Sequence, residues 1–131
     1  MKRFSISLVG GGSTYTPDMM EMLCLVKEKF PLKKITMYDV NAERQNVIGQ
    51  YGEVLFREFY PELEEFVYTT DPEEAFTDID FALVQIRQGG LAMREHDEKI
   101  PLKYGCVGQE TCGAGGFAYG MRSIGAILDL I

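Results

Sequence analysis

Apolar and polar positions along the chain alternate between strand-like and helix-like spacing, and each switch falls at a glycine, a proline or a capping residue. Residues 4 to 9, "FSISLV", are short, mainly apolar and β-rich, and run directly into glycine, which predicts a buried strand. Thr16-Pro17-Asp18 has the order of a helix entry: threonine at the N-cap, proline at the first helical position, an acid in the first turn. Met19, Met22, Leu23, Val26 and Phe30 then recur at helical spacing until Pro31 stops the run. "KKITMYDV" (33–40) predicts a second strand ending on an acid, and Asn41 caps a helix reaching about Phe59, with Val47, Val54, Leu55 and Phe59 among its apolar positions.

"EEFVYTT" (64–70) predicts a third strand, and Asp71-Pro72 opens a short helix by the same cap-then-proline order. "DIDFALVQI" (78–86) is the most apolar strand and is therefore expected at the centre of the sheet. A helix over about Leu91 to Ile100 is cut by Pro101, a glycine-rich loop covers 105 to 116, and a last helix starts near Gly116. Strands alternating with helices imply an α/β fold of the Rossmann-like kind, a mostly parallel sheet with flanking helices and right-handed crossovers. The 131 residues fit one domain. The closing "SIGAILDLI" is still apolar and helical, without a capping glycine or polar tail, so this domain is expected to be the front part of a longer protein.

Composition narrows the partners. A net charge of −7 repels phosphate backbones and anionic surfaces, which speaks against nucleic acid and membranes as partners. No apolar run approaches the ~20 residues of a membrane span, and Lys2-Arg3 precede too short an apolar stretch for a signal peptide, so a cytoplasmic protein is expected. Three cysteines (Cys24, Cys106, Cys112) without CxxC spacing support neither a disulfide scaffold nor a self-contained metal site. His96, the single histidine, stands among the charges of "MREHDEK" and reads as solvated.

Candidate chemistry collects in two stretches. Gly10-Gly11-Gly12-Ser13-Thr14 follows a strand and precedes a helix, where glycines let the backbone turn sharply and approach a ligand. The helix start behind them offers N–H groups and partial positive charge to a diphosphate. Tyr15 occupies the place of the third glycine of G-x-G-x-x-G, so the pattern is partial. Asp39, ending the second strand, can accept both ribose hydroxyls of an adenosine and would repel a 2′-phosphate, which favours NAD over NADP. A plain turn with a helix-capping acid is the bland alternative.

The second stretch is 85 to 120. Arg87 lies at the carboxyl end of the fourth strand, where open α/β sheets bind ligands. Arg94 can grip a phosphate or sugar hydroxyl through paired donors, although its spacing to Asp97 and Glu98 equally fits a surface salt bridge. Glu110, between glycines, can tune a neighbouring group or cap the last helix.

"GGGSTYTP" (10–17), "YDV" (38–40), "QIRQGGLAMREHDEKIPLKYG" (85–105) and "GQETCGAGGFAYGMRSI" (108–124) resemble the NAD- and metal-dependent glycoside hydrolases of family 4, in particular the 6-phospho-glucosidases. The resemblance runs across the whole chain. It implies hydrolysis by oxidation at sugar C3, loss of the C2 proton, elimination at C1 and addition of water, with a divalent metal, typically manganese, polarising the C3 oxygen. It implies NAD held by Gly10, Gly11, Gly12, Ser13, Thr14 and Asp39, and Arg87, at the end of the fourth strand, is expected to join them in binding the cofactor. By the same resemblance Arg94 contacts the phosphorylated part of a disaccharide substrate, and Glu110 raises the basicity of a tyrosine base lying beyond this chain. The metal ligands also lie beyond it in such proteins, and the whole enzyme is expected to be a homo-oligomer. "AMRE" and "GMRSIG" resemble the phospho-α-glucosidases, while "RQGGL" also occurs in phospho-β-glucosidases. A 2-hydroxy-acid dehydrogenase and a non-catalytic dinucleotide-sensing module share the cofactor pattern and are the competing expectations.

Overall fold

The computed structural model describes residues 2–130. They form two compact units, Met1–Ile86 and Arg87–Ile131. In the first, β1 (Phe4–Val9), β2 (Leu32–Tyr38), β3 (Glu65–Thr69) and β4 (Phe81–Val84) make one sheet in the order β3-β2-β1-β4. Every pairing is parallel. Helices α1 (Thr16–Leu25), α2 (Ala42–Phe59) and α3 (Pro72–Phe76) connect the strands in turn. This is the Rossmann-like arrangement that the alternation of elements implies. Among the described residues no helix is long and apolar enough to cross a membrane.

Register places the chemistry. Val9 lies opposite Tyr38 and Val84, and Tyr38 opposite Thr69, so all the strands end along one edge. Gly10, Asp39 and Gln85 therefore leave the sheet side by side. The strand order reverses direction between β1 and β4, the kind of crevice where such sheets take ligands.

The core is built on β1 and β2. Ile6, Leu8, Leu32, Ile35 and Met37 are fully buried, with Met20 and Leu23 from α1 and Leu55 and Phe56 from α2 packed on them. Tyr60 is buried as well, and its hydroxyl accepts the Leu32 N–H at 2.6 Å. The inward helix faces differ from the expected ones. Met20 rather than Met22 fills the core, and Met22, Val47, Val54 and Phe59 are exposed.

On α2 the inward face carries Gln45, Gly49 and Gly52 instead, because small residues make room for the aromatic side chains of β3. A Cβ on Gly52 would stand 2.5 Å from Phe66 Cζ and 3.0 Å from Met20 Sδ. Gly52→Ala is therefore expected to destabilise by about 1–3 kcal/mol through overpacking, outweighing alanine's roughly 1 kcal/mol helix advantage. The check is the shift in urea midpoint.

The strand expected at the centre is not there. β4 is an edge strand of the described sheet, and Phe81 and Val84 are exposed, whereas β1, with two serines, is buried from Ser5 to Val9. Apolar content reports the burial a strand seeks on its faces and carries no information about its lateral neighbours.

In the second unit α4 (Gly90–Leu102) and α5 (Gly113–Leu128) pack together. Pro101 lies inside the last turn of α4 instead of ending it beforehand, since proline so close to the end sacrifices a single helical bond. α5 begins at Gly113, three residues earlier than the loop glycines suggest, with Cys112 as N-cap. Asn41 and Asp71 cap as expected, accepting the Arg44 and Glu73 N–H groups at 3.0 and 2.9 Å.

Candidate functional site

The first candidate site is the turn after β1. Gly10 has φ +91°, a left-handed conformation that favours glycine, and a Cβ there would sit 2.9 Å from the Gln85 carbonyl oxygen. The Gly10 and Gly11 N–H groups both donate to the Tyr38 carbonyl, at 2.8 and 2.9 Å. Gly12 N–H donates to Asp39 Oδ2 at 2.8 Å, and a Cβ on Gly12 would come within 3.0 Å of the same oxygen. The turn thus wraps closely around the end of β2, and the acid singled out in the sequence is tied directly to the third glycine.

Asp39 is half-buried, and its Oδ1 accepts the Asn41 N–H at 2.8 Å. Each carboxylate oxygen therefore takes one backbone donor and keeps a further acceptor position. Ser13 N–H closes back onto the Gly10 carbonyl at 3.0 Å, while the exposed Thr14 takes no amide partner among the described residues.

Thr16 does not cap α1. Tyr15 holds the N-cap position without a side-chain bond, and the buried Thr16 hydroxyl accepts from Gln85 Nε2 at 2.7 Å and donates to the Gly10 carbonyl. A buried hydroxyl is costly without partners, and these lie on the interior side. Gln45 is a support that sequence reading did not find. It is 2% exposed, donates to the Thr69 carbonyl at 2.7 Å, and its Oε1 lies 3.0 Å from where a Gly11 Cβ would be. A glutamine between Arg44 and Asn46 in the sequence gives no local sign of burial.

The second unit holds the arginine cluster. Glu110 pairs with Arg87 and, through Oε2, with Arg94 at 3.0 Å. Arg94 also donates from Nε to Glu98 Oε1 at 2.7 Å, one helical turn on. The salt bridge allowed by the spacing is present, and it shares Arg94 with Glu110. Arg94 is held above the usual arginine range by the Glu98 hydrogen bond first, with the Glu110 charge adding to it. Glu110 does not cap α5, because both its oxygens are engaged by guanidinium groups. Arg87 also lies over the Tyr119 ring, 5.9 Å from its centre.

Arg122 and Asp97 form a further pair that sequence reading did not find. Arg122 grips both Asp97 oxygens, and Asp97 is only 6% exposed. The Arg122 hydrogen bonds hold the Asp97 carboxyl below the usual carboxylate range against the opposing effect of burial. The one available signal was the arginine in the otherwise apolar and small "GMRSIG". His96, Cys106 and Cys112 are exposed, and all three thiols are free. Burial raises the Cys24 thiol above its ordinary range. Among the described residues no group of three or more His, Cys, Asp or Glu side chains could hold a metal ion.

A parallel sheet in the order 3-2-1-4, with a glycine turn bound to the acid after its second strand, defines a Rossmann-like protein. The chain belongs to family 4 of the glycosyl hydrolases, whose profile matches residues 5–131. It is 66% identical to the phospho-alpha-glucosidase PagL of Clostridium acetobutylicum over 131 residues, 100% of this chain and 29% of that protein. It is 34% identical to the 6-phospho-beta-glucosidase BglT of Thermotoga maritima over 126 residues, 96% of this chain and 29% of that protein. A crystal structure of a 6-phospho-alpha-glucosidase from gut microorganisms, in complex with NAD and Mn²⁺, is similar with a TM-score of 0.89 and 50% identity, covering 98% of this chain and 30% of that one. The chain thus spans less than a third of the length of these relatives.

Proposed function

We propose that this chain is the dinucleotide-binding, N-terminal part of an NAD-dependent 6-phospho-α-glucosidase that hydrolyses phosphorylated disaccharides. The observation that carries this reading is the Gly12–Asp39 hydrogen bond, which joins the glycine turn to a carboxylate with acceptor positions left over. Gly10 to Gly12 let the turn pack closely against Gln85, Gln45 and Asp39, Ser13 and Thr14 lead into the helix start, and the N–H groups at such a helix start suit a diphosphate. Asp39 would take the adenosine ribose hydroxyls, and Arg87 would add a cationic contact to the cofactor. When bound, NAD supplies a hydride acceptor for the sugar C3 position, which acidifies the C2 proton and permits elimination at C1.

The remaining residues bind and orient. Arg94 spends Nε on Glu98 and one terminal nitrogen on Glu110, which leaves further N–H donors for the phosphorylated part of the sugar. Glu110, placed between two guanidinium groups, is the carboxylate available to influence a neighbouring base. Among the described residues no group of side chains fits a manganese ion of the kind held by the gut-microorganism relative. The α assignment is supported by 66% identity to an α-acting relative against 34% to a β-acting one.

The test uses the full-length protein with NAD, Mn²⁺ and the nitrophenyl α- and β-glucoside 6-phosphates in separate reactions. Release from the α substrate alone, lost when NAD is removed, is the expected result. Release that persists after NAD has been stripped would overturn the reading, and release from the β substrate alone would overturn the α assignment.

A further inference from the structure

Arg122 lies on α5, and its donors point inward. Its two terminal nitrogens bond to Asp97, Nη1 to Oδ1 at 3.2 Å, and its Nε donates to the Gln88 carbonyl at 2.9 Å. These partners sit on either side of the groups discussed above. Gln88 directly follows Arg87 and opens the turn through Gly89 and Gly90, both of positive φ, that starts α4. A Cβ on Gly89 would meet Arg122 Nε at 3.2 Å, so the guanidinium rests against this backbone. Asp97 is three residues after Arg94 on α4, the spacing that puts two side chains on one helix face. One side chain therefore fixes the turn carrying Arg87 and the helix face carrying Arg94.

We propose that Arg122 is a positioning residue, which acts through Asp97 and the Gln88 carbonyl to hold Arg87 and Arg94 against Glu110. The inference rests on the reading of Arg94 and Glu110 as groups that serve a phosphorylated sugar. Its physical basis is geometric. A planar guanidinium makes a two-pronged grip and a third bond at fixed angles, which a lysine ammonium cannot reproduce. With the fork gone, α4 is free to shift against α5, and Arg94 and Glu110 no longer meet at one distance. A sub-ångström to 1 Å misplacement of this kind costs roughly 10- to 100-fold in turnover efficiency.

The test is Arg122→Lys in the full-length protein. The KM for nitrophenyl α-glucoside 6-phosphate is expected to rise roughly 10- to 100-fold, with the Kd for NAD rising by no more than about 5-fold, the worth of one exposed ionic contact, because Arg87 is the one proposed cofactor contact that Arg122 supports. Lys99→Ala, which breaks only the exposed Glu95–Lys99 pair on the same helix, is expected to leave both values unchanged. A merely structural role would lower thermal stability without separating the two constants. A wild-type KM in folded Arg122→Lys, or an NAD Kd rising as much as the KM, would overturn the inference. Should Arg122→Lys fail to fold, Asp97→Asn serves in its place, with a smaller rise in KM and a change in NAD affinity smaller still.

A crystal structure of the variant separates this inference from the reading beneath it. The Arg94–Glu110 contact, 3.0 Å here, is expected to open beyond about 4 Å. If the wild-type enzyme cleaves no phosphoglucoside, the glucosidase reading fails, and the positional claim is still decided by whether that contact opens. An unmoved contact sinks it.

Discussion

Asp39→Ala is expected to weaken NAD binding by roughly 10- to 100-fold, the equivalent of losing about 1.5–3 kcal/mol of charge-assisted hydrogen bonding. The substitution acts twice. It removes the acceptor for the ribose hydroxyls, and it releases the Gly12 and Asn41 N–H groups that the carboxylate holds at 2.8 Å each. The glycine turn then keeps only the Gly10 and Gly11 bonds to the Tyr38 carbonyl as ties to the end of β2, beside the position proposed for a diphosphate. Preference for NAD over NADP should also narrow, because the charge that repels a 2′-phosphate is gone. Asp39→Asn should fall between, since its amide oxygen can still accept from one N–H while its nitrogen cannot. Calorimetric titration of the full-length protein with both cofactors measures all of this. An unchanged NAD affinity in Asp39→Ala would remove Asp39 from the cofactor site.

Local chemistry is where the sequence was most readable. Asn41 and Asp71 cap because each is followed by a helix whose first N–H groups lie within reach of its own side chain, an arrangement settled within four residues. The strand-turn-helix at residues 4–25 was readable for the same reason, apart from Thr16. Its hydroxyl had a local option at the N-cap and a non-local one with Gln85 and Gly10, and burial decided for the second.

Pairings that span the chain were not readable. Asp97 and Arg122 are 25 residues apart, and each has nearer partners of opposite charge that spacing alone would choose. The lateral place of β4 depends equally on partners that the strand's own composition does not name. Arg94 shows both levels together, since its bond to Glu98 follows from helical spacing and its bond to Glu110 does not.

Ile35→Ala should cost the first unit about 2–5 kcal/mol, a large share of the 5–15 kcal/mol that typically separates a folded domain from its unfolded chain. Ile35 is fully buried on β2, the strand paired to β1 on one side and β3 on the other, so no edge lets the site relax. Urea unfolding should show the lower midpoint at an unchanged slope, whereas Leu91→Ala, at a site 72% exposed, should stay within about 0.5 kcal/mol of wild type. The same strand ends in Tyr38, whose carbonyl takes the Gly10 and Gly11 N–H groups, so core stability and the glycine turn are mechanically one structure. A ligand that binds only the folded form adds RT ln(1 + [L]/Kd), about 2.7 kcal/mol at a hundredfold excess over Kd. NAD at that excess should therefore recover most of the stability lost in Ile35→Ala. Adding Asp39→Ala should cut the recovery to about 0.4–1.4 kcal/mol at the same NAD concentration, because a 10- to 100-fold weaker Kd leaves an excess of roughly 1 to 10. A recovery equal in the single and double variants would show that the cofactor's stabilising contacts do not pass through Asp39.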